Sequence, residues 1–65
     1  MHCKILDLKI KVNVSELCSW VGISRTAYYN IINDKSVPSL LVADLIVKYL
    51  NLQEYDYTIY DLWDM

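Results

Sequence analysis

Residues 15–34, SELCSWVGISRTAYYNIIND, decide how the rest of the chain is organised. The spacing predicts a short helix that begins with Ser15 as its N-cap and has one apolar face. That face consists of Leu17, Cys18 and Val21. Gly22, the only glycine of the chain, lacks a Cβ and can end this helix in a left-handed conformation. We therefore expect the chain to turn sharply at Gly22.

A second short helix is predicted directly after this turn. Ser24 provides its N-cap, and residues 25–33 place three side chains on a buried face, namely Ala27, Tyr28 and Ile31. The opposite face is mostly polar and consists of Arg25, Thr26, Tyr29, Asn30 and Asn33. Two short helices joined by a tight glycine turn are typical of a helix-turn-helix, in which the second helix enters the DNA major groove.

The same residues resemble the Cro/C1-type, or repressor-like, helix-turn-helix family. The resemblance covers roughly residues 7–52 without a gap. Its matching positions are Leu17, Cys18, Val21, Gly22, Ile23, Ser24, Arg25, Ile31, Asn33, Pro38, Ser39, Leu40 and Leu50. It implies a small DNA-binding regulator, similar to phage Cro-type or repressor-type proteins. We expect a homodimer, because one short recognition helix reads too few base pairs to be specific and a two-fold symmetric operator supplies the rest.

Three positions depart from the family pattern. Ile32 stands where the family usually carries Glu, and Asp7 stands where many members carry the Arg that pairs with that Glu. Both partners of the family's ion pair are therefore replaced in this chain. An apolar Ile32 can pack without a partner, whereas a buried Glu without its Arg would destabilise the fold. Asp34 stands where the family usually carries Gly.

The predicted fold is all-α, a compact four- to five-helix repressor-like arrangement in which residues 1–52 form the helix-turn-helix domain with four helices. Residues 3–11 are expected to form the first helix, because Ile5, Leu8 and Val12 recur at helical spacing. Trp20 either covers this first helix or joins a partner surface. Residues 53–65 form an acidic, aromatic tail whose pattern fits either an added helix or a short strand.

The fourth helix is predicted from Ser39, its N-cap, to about Leu50. One apolar face closes the core with Leu40, Ala43, Ile46, Val47 and Leu50. A second apolar face indicates contact with the tail, with another subunit or with both, because a helix that is apolar nearly all round is buried nearly all round. The expected oligomer or partner interface consists of Leu41, Leu45, Tyr49, Leu52, Tyr57 and Trp63.

The family resemblance also implies which residues contact double-stranded DNA. The base-reading residues would be Arg25, Thr26, Tyr29 and Asn30. The residues that contact phosphate would be Asn13, Ser15, Asn33 and Lys35. This chemistry is suitable, because Arg pairs with guanine, Asn pairs with adenine and the Thr methyl group contacts thymine.

Other classes of function find little support in the sequence. Glycine-rich phosphate loops and catalytic Ser/His/Asp sets are absent, so we expect no enzyme and no cofactor. His2, Cys3 and Cys18 lack metal-ligand spacing, so we expect no metal site and reduced thiols. No apolar run is long enough to span a membrane, which predicts a protein of the cytoplasm of a bacterium or phage-infected cell.

The charge distribution leaves two functions open. The net charge of −2 comes from the tail, because residues 51–65 carry four acidic and no basic residues, whereas residues 1–50 carry six basic and four acidic ones. A weakly basic body fits a DNA-binding regulator with few phosphate contacts. The alternative is a helix-turn-helix scaffold that binds another regulator through the fourth helix and the tail, as an antirepressor or antitoxin-like partner would.

Overall fold

The computed structural model describes residues 2–64, which form four helices and one two-stranded sheet. In chain order the elements are β1 (His2–Cys3), α1 (Val14–Val21), α2 (Arg25–Ile32), α3 (Leu40–Leu52), α4 (Ile59–Leu62) and β2 (Trp63–Asp64). The mostly helical fold expected from the sequence is confirmed. The second, third and fourth predicted helices correspond to α1, α2 and α3.

The turn between α1 and α2 has the predicted glycine geometry. Gly22 has φ 87°, and its N–H donates a hydrogen bond of 2.8 Å to the carbonyl of Cys18. The start of α1 differs from the prediction, since the side chain of Asn13, not Ser15, accepts the capping hydrogen bond from the amide of Glu16 at 3.1 Å. Ser15 lies inside the first turn of α1, so its hydroxyl is available for another contact.

Two further predicted caps are confirmed. The hydroxyl of Ser24 accepts a hydrogen bond of 3.1 Å from the amide of Ala27 at the start of α2. The hydroxyl of Ser39 accepts one of 3.2 Å from the amide of Val42 at the start of α3. Each cap satisfies a backbone donor that the helix itself leaves unpaired, and so fixes where the helix begins.

Helix α1 packs against both α2 and α3 and thereby organises the core. Leu17 of α1 and Leu50 of α3 are completely buried, and Ile32 is 6% exposed, as expected for an apolar residue without an ionic partner. Leu40 was expected in the core but is 73% exposed. Leu40 is the first residue of α3, and this end of the helix is not covered by other elements.

The prediction of a helix over residues 3–11 is wrong. Residues 5–9 form turns, and Lys9 adopts a left-handed φ of 53°, which ends any helical path. The amide of Leu8 donates to the carbonyl of Lys4, so the helix-like spacing produces a single turn. Cys3 and Ile5 are buried, and residues 10–13 after the turn belong to no helix or strand.

The two ends of the chain meet in the sheet. Strand β1 pairs antiparallel with β2, with His2 opposite Asp64 and Cys3 opposite Trp63. A helix was expected over residues 3–11. Among these described residues, only Cys3 belongs to a strand. The tail contains both forms that its pattern allowed, a four-residue helix followed by a short strand.

The tail is part of the core. Leu62 and Trp63 are 0% and 1% exposed, and α4 packs against α3. The carboxylate of Asp61 accepts hydrogen bonds from the amide and the hydroxyl of Thr58, at 2.7 and 3.1 Å, and so fixes the first turn of α4. Residues beyond the helix-turn-helix therefore complete its packing.

Candidate nucleic-acid interface

The outer face of α2 is polar and accessible. Arg25 and Thr26 are exposed, Tyr29 is 48% exposed and Asn30 is half-buried. The opposite face enters the core with Tyr28, Ile31 and Ile32. The four predicted base-reading residues thus lie in the first turns of one helix, on the side that faces solvent.

Arg25 connects α2 to α1. Its guanidinium group donates a hydrogen bond to the hydroxyl of Ser15, so a predicted base-reading residue and a predicted phosphate-binding residue are in direct contact. A guanidinium group has five N–H donors, so this bond leaves others for a second acceptor. Asn13, two residues before Ser15, uses its side-chain oxygen as the cap of α1 and keeps its amide N–H donors.

Tyr29 is supported by the core. Its ring meets the ring of Tyr28 edge-on, with centroids 5.7 Å apart and an interplanar angle of 66°. Tyr28 is 2% exposed, and this burial raises the pKa of its phenol to about 12. A neutral, buried ring therefore forms the support against which the exposed Tyr29 is held.

The C-terminal end of α2 is closed by its own polar groups. The side-chain amide of Asn33 donates a hydrogen bond of 2.8 Å to the carbonyl of Tyr29, which leaves it one further N–H. The backbone amides of Lys35 and Ser36 both donate to the carbonyl of Asn30, at 2.8 and 3.2 Å. Asn33 and Lys35 are thereby brought to the same end of α2.

Asp34 forms a cluster that the sequence did not predict. Its φ is 63°, which explains why the family favours glycine at this position. Its carboxylate accepts a hydrogen bond of 2.7 Å from the amide of Cys3 and contacts Nδ1 of His2 at 2.5 Å. Nε2 of His2 contacts the carboxylate of Asp7 at 2.6 Å. Asp7, which has lost the family's ion pair, is thus paired with His2.

Two residues of the predicted partner interface lie in the core of the chain. Tyr49 and Trp63 are 3% and 1% exposed and are covered by the chain itself. Leu45 and Tyr57 are half-buried. Only Leu41 and Leu52, at 67% and 66% exposed, lie fully at the surface.

A shallow apolar groove lies between α3 and α4. It is lined by Leu40, Leu41, Asp44, Val47, Thr58 and Ile59. Two further exposed apolar residues, Val37 and Tyr60, are close to these residues in the sequence, and each is 72% exposed. These six lining residues form the α3–α4 groove. Asp44 at its edge forms an ion pair with Lys48, one helical turn further along α3, at 3.0 Å.

Trp20 follows neither prediction fully. With no helix over residues 3–11 to cover, its ring lies against that of Tyr49 in α3, with centroids 6.0 Å apart. It remains 44% exposed. Its packing against α3 therefore accounts for one side of the ring, while the other side faces solvent.

Within residues 2–64, no group of three His, Cys, Asp or Glu side chains has the arrangement of a metal site. Over the same residues no helix has the length and apolar character needed to cross a bilayer. Cys3 and Cys18 are buried free thiols, and burial raises the pKa of each. These thiols are structural parts of the core.

A capped short helix, a left-handed glycine and a second helix with an exposed polar face define a helix-turn-helix protein. The helix-turn-helix family model matches residues 8–57, which is most of the chain, and the chain belongs to the Cro/C1-type helix-turn-helix family. This family is a DNA-binding regulatory domain. Comparison with curated proteins and with solved structures gives no match.

Proposed function

We propose that this protein is a sequence-specific transcriptional regulator of the phage Cro-like or repressor-like type, which inserts α2 into the DNA major groove as a homodimer. The observation that carries this proposal is the exposed polar face of α2, whose opposite face is fixed in the core by Tyr28 and Ile31. A rigidly held helix with an accessible polar first turn is what reading of base edges requires.

Each proposed base-reading residue has a chemical role. Arg25 can donate two hydrogen bonds to the O6 and N7 atoms of guanine, and Asn30 can pair with adenine. The methyl group of Thr26 can contact that of thymine. Tyr29, supported by Tyr28, adds a ring and a hydroxyl beside them. These residues would supply the sequence preference.

The proposed phosphate contacts lie at the ends of the two helices. Asn13 and Ser15 are at the start of α1, and Asn33 and Lys35 are at the end of α2. Contacts of this kind fix the register of a protein on DNA without carrying sequence information. Because the chain has only six basic residues, we expect a shallow salt dependence of binding.

A homodimer is proposed because one short recognition helix reads too few base pairs to be specific. The two-fold related half-sites of an operator provide the rest. The α3–α4 groove offers the apolar surface for such a contact, since Leu40 and Leu41 are 73% and 67% exposed. We therefore propose Leu41 and Leu52 as interface residues, together with Leu40. The half-buried Leu45 and Tyr57 would lie at the edge of this interface.

Sedimentation equilibrium tests the dimer. Leu41→Lys should shift the monomer–dimer equilibrium toward monomer, because it places a charge in an apolar contact. Leu6→Lys is a matched control at a residue that is 54% exposed and outside the groove, and it should leave the equilibrium unchanged. A wild-type protein that is monomeric at all accessible concentrations, with and without operator DNA, would disprove the homodimer.

The alternative function is a helix-turn-helix scaffold that binds another regulator and has little DNA affinity, as an antirepressor or antitoxin-like protein would. The exposed apolar groove favours it, because large exposed apolar patches mark protein contacts. Binding to random DNA at low salt separates the two functions. A protein that binds no DNA under these conditions, but forms one stoichiometric complex with a protein of its host cytoplasm, supports the alternative.

A further inference from the structure

The cluster of His2, Asp7 and Asp34 connects the N-terminal region of the chain with the end of α2, because Asp34 is 32 residues from His2 in sequence. His2 is in β1, Asp7 is in the turn of residues 5–9, and Asp34 follows the last residues of α2. The carboxylate of Asp34 also accepts the hydrogen bond from the backbone amide of Cys3. Because β1 pairs with β2, this one cluster attaches both ends of the chain to the end of α2.

The geometry around His2 requires a particular protonation state. Both ring nitrogens lie at hydrogen-bonding distance from a carboxylate oxygen, at 2.5 and 2.6 Å. A neutral imidazole has one N–H donor and one acceptor, so it can donate to only one of two ionised carboxylates. The imidazolium form has two N–H donors and matches both. Both contacts therefore form together when His2 is charged.

We propose that His2, Asp7 and Asp34 form a pH-sensitive clamp that fastens the paired chain ends to the C-terminal end of α2. The clamp closes when His2 is protonated and both carboxylates are ionised. When His2 loses its proton, one carboxylate loses its donor and faces a nitrogen lone pair. His2 then no longer joins Asp7 to Asp34, so the clamp is weakened, while the amide of Cys3 still donates to Asp34. The proposal is independent of whether α2 binds DNA.

Three acidic residues lie around His2. Asp7 approaches His2 from the turn, Asp34 from the end of α2, and Asp64 stands opposite His2 in the sheet. Hydrogen bonds to Asp7 and then Asp34 raise the pKa of His2. The hydrogen bond from the Cys3 amide, followed by that from His2, lowers the pKa of Asp34.

The pH window follows from these two directions. The raised pKa of His2 means that its contribution is complete below the unfolded value of about 6.5 and is lost as pH rises through the higher folded value. The lowered pKa of Asp34 means that its contribution is complete above about 3.9 and is lost as pH falls below that. We therefore expect the clamp to be closed between about pH 4 and 6.5 and to open above that range.

Nuclear magnetic resonance can measure this directly, because His2 is the only histidine of the chain. In the untagged wild-type protein, the ring signal of His2 should titrate with a midpoint above about 6.5. Asp34→Asn and Asp7→Asn should each lower that midpoint, because each removes a carboxylate that accepts a hydrogen bond from His2. Asp44→Asn, which removes the same charge from a residue paired with Lys48, is the matched control and should leave it nearly unchanged.

Amide hydrogen exchange provides a second measurement, at the backbone amide of Cys3 that donates to Asp34. After correction for intrinsic exchange, protection of the Cys3 amide should fall as pH rises from about 6 to 8 in the wild type. In His2→Gln this pH dependence should disappear. A wild-type midpoint at or below about 6.5 would overturn the proposal. Equal midpoints in the wild type and both cluster variants, or a Cys3 amide whose protection does not change with pH, would do the same.

Discussion

The guanidinium group of Arg25 donates a hydrogen bond to the hydroxyl of Ser15. This bond joins the first residue of α2 to the first turn of α1, so the two helices of the helix-turn-helix are connected at the ends proposed to approach DNA. Ser15 is free to make it because Asn13 provides the cap of α1. The proposed guanine-reading side chain is therefore held in place before DNA arrives.

Arg25→Ala should weaken binding to a selected DNA site by about 1–3 kcal/mol, because it removes a bidentate contact to guanine. Fluorescence anisotropy with a labelled duplex measures the change in Kd. Lys48→Ala removes the same charge from α3, where Lys48 is paired with Asp44, and serves as the control. Equal losses of DNA-binding free energy in the two variants would mean that Arg25 contributes only its positive charge and does not read a base.

Gly22→Ala should destabilise the fold by about 1–2 kcal/mol. The loss is conformational, because Gly22 has φ 87° and a Cβ at this position would meet no atom within 4 Å. Gly22→Asn should cost less, since Asn tolerates the left-handed region better than Ala does. Urea unfolding monitored by circular dichroism gives both values, and an Asn variant less stable than the Ala variant would contradict this explanation.

Ser24→Ala should cost roughly 1 kcal/mol of stability, because the amide of Ala27 loses its capping acceptor. Ser19→Ala is the matched control in the exposed part of α1, where serine has no capping role and alanine has the higher helix propensity. The free energies of unfolding of the two variants should therefore differ clearly. If Ser24→Ala is as stable as Ser19→Ala, Ser24 does not determine the start of α2.

Leu62→Ala should destabilise the protein by about 2–5 kcal/mol, since it leaves a cavity at a completely buried position. Leu6→Ala, at a residue that is 54% exposed and outside the proposed interface, should cost far less. Thermal unfolding at a fixed protein concentration compares them. Similar melting temperatures would show that the tail is not part of the core, contrary to the packing of α4 against α3.

The region from α1 to α3 was predictable because its signals are local. A capping side chain, a left-handed glycine and the spacing of apolar residues all act within a few positions of where they stand. Gly22, Ser24 and Ser39 each had the expected role. Helical spacing also predicted the exposed face of α2, and the family resemblance extends over the same region.

The chain ends were not predictable because their structure depends on distant partners. Residues 6–12 alternate between apolar and charged types, a pattern that competes with the helical spacing of Ile5, Leu8 and Val12. The pairing of Cys3 with Trp63 decided against a helix, and no local signal reveals that pairing. The contact of His2 with Asp34 also joins residues that are far apart, although Asp34, at a position where the family usually has glycine, was a visible departure from the pattern.

Selection of binding sites from a pool of random duplex DNA tests the central claim most directly, because it requires no knowledge of the operator. The wild-type protein should enrich one motif with two-fold symmetric half-sites about 10 base pairs apart, and Arg25→Ala and Asn30→Ala should each lose preference at a defined position of it. A folded wild-type protein that enriches no motif at low salt would contradict sequence-specific reading of DNA by α2.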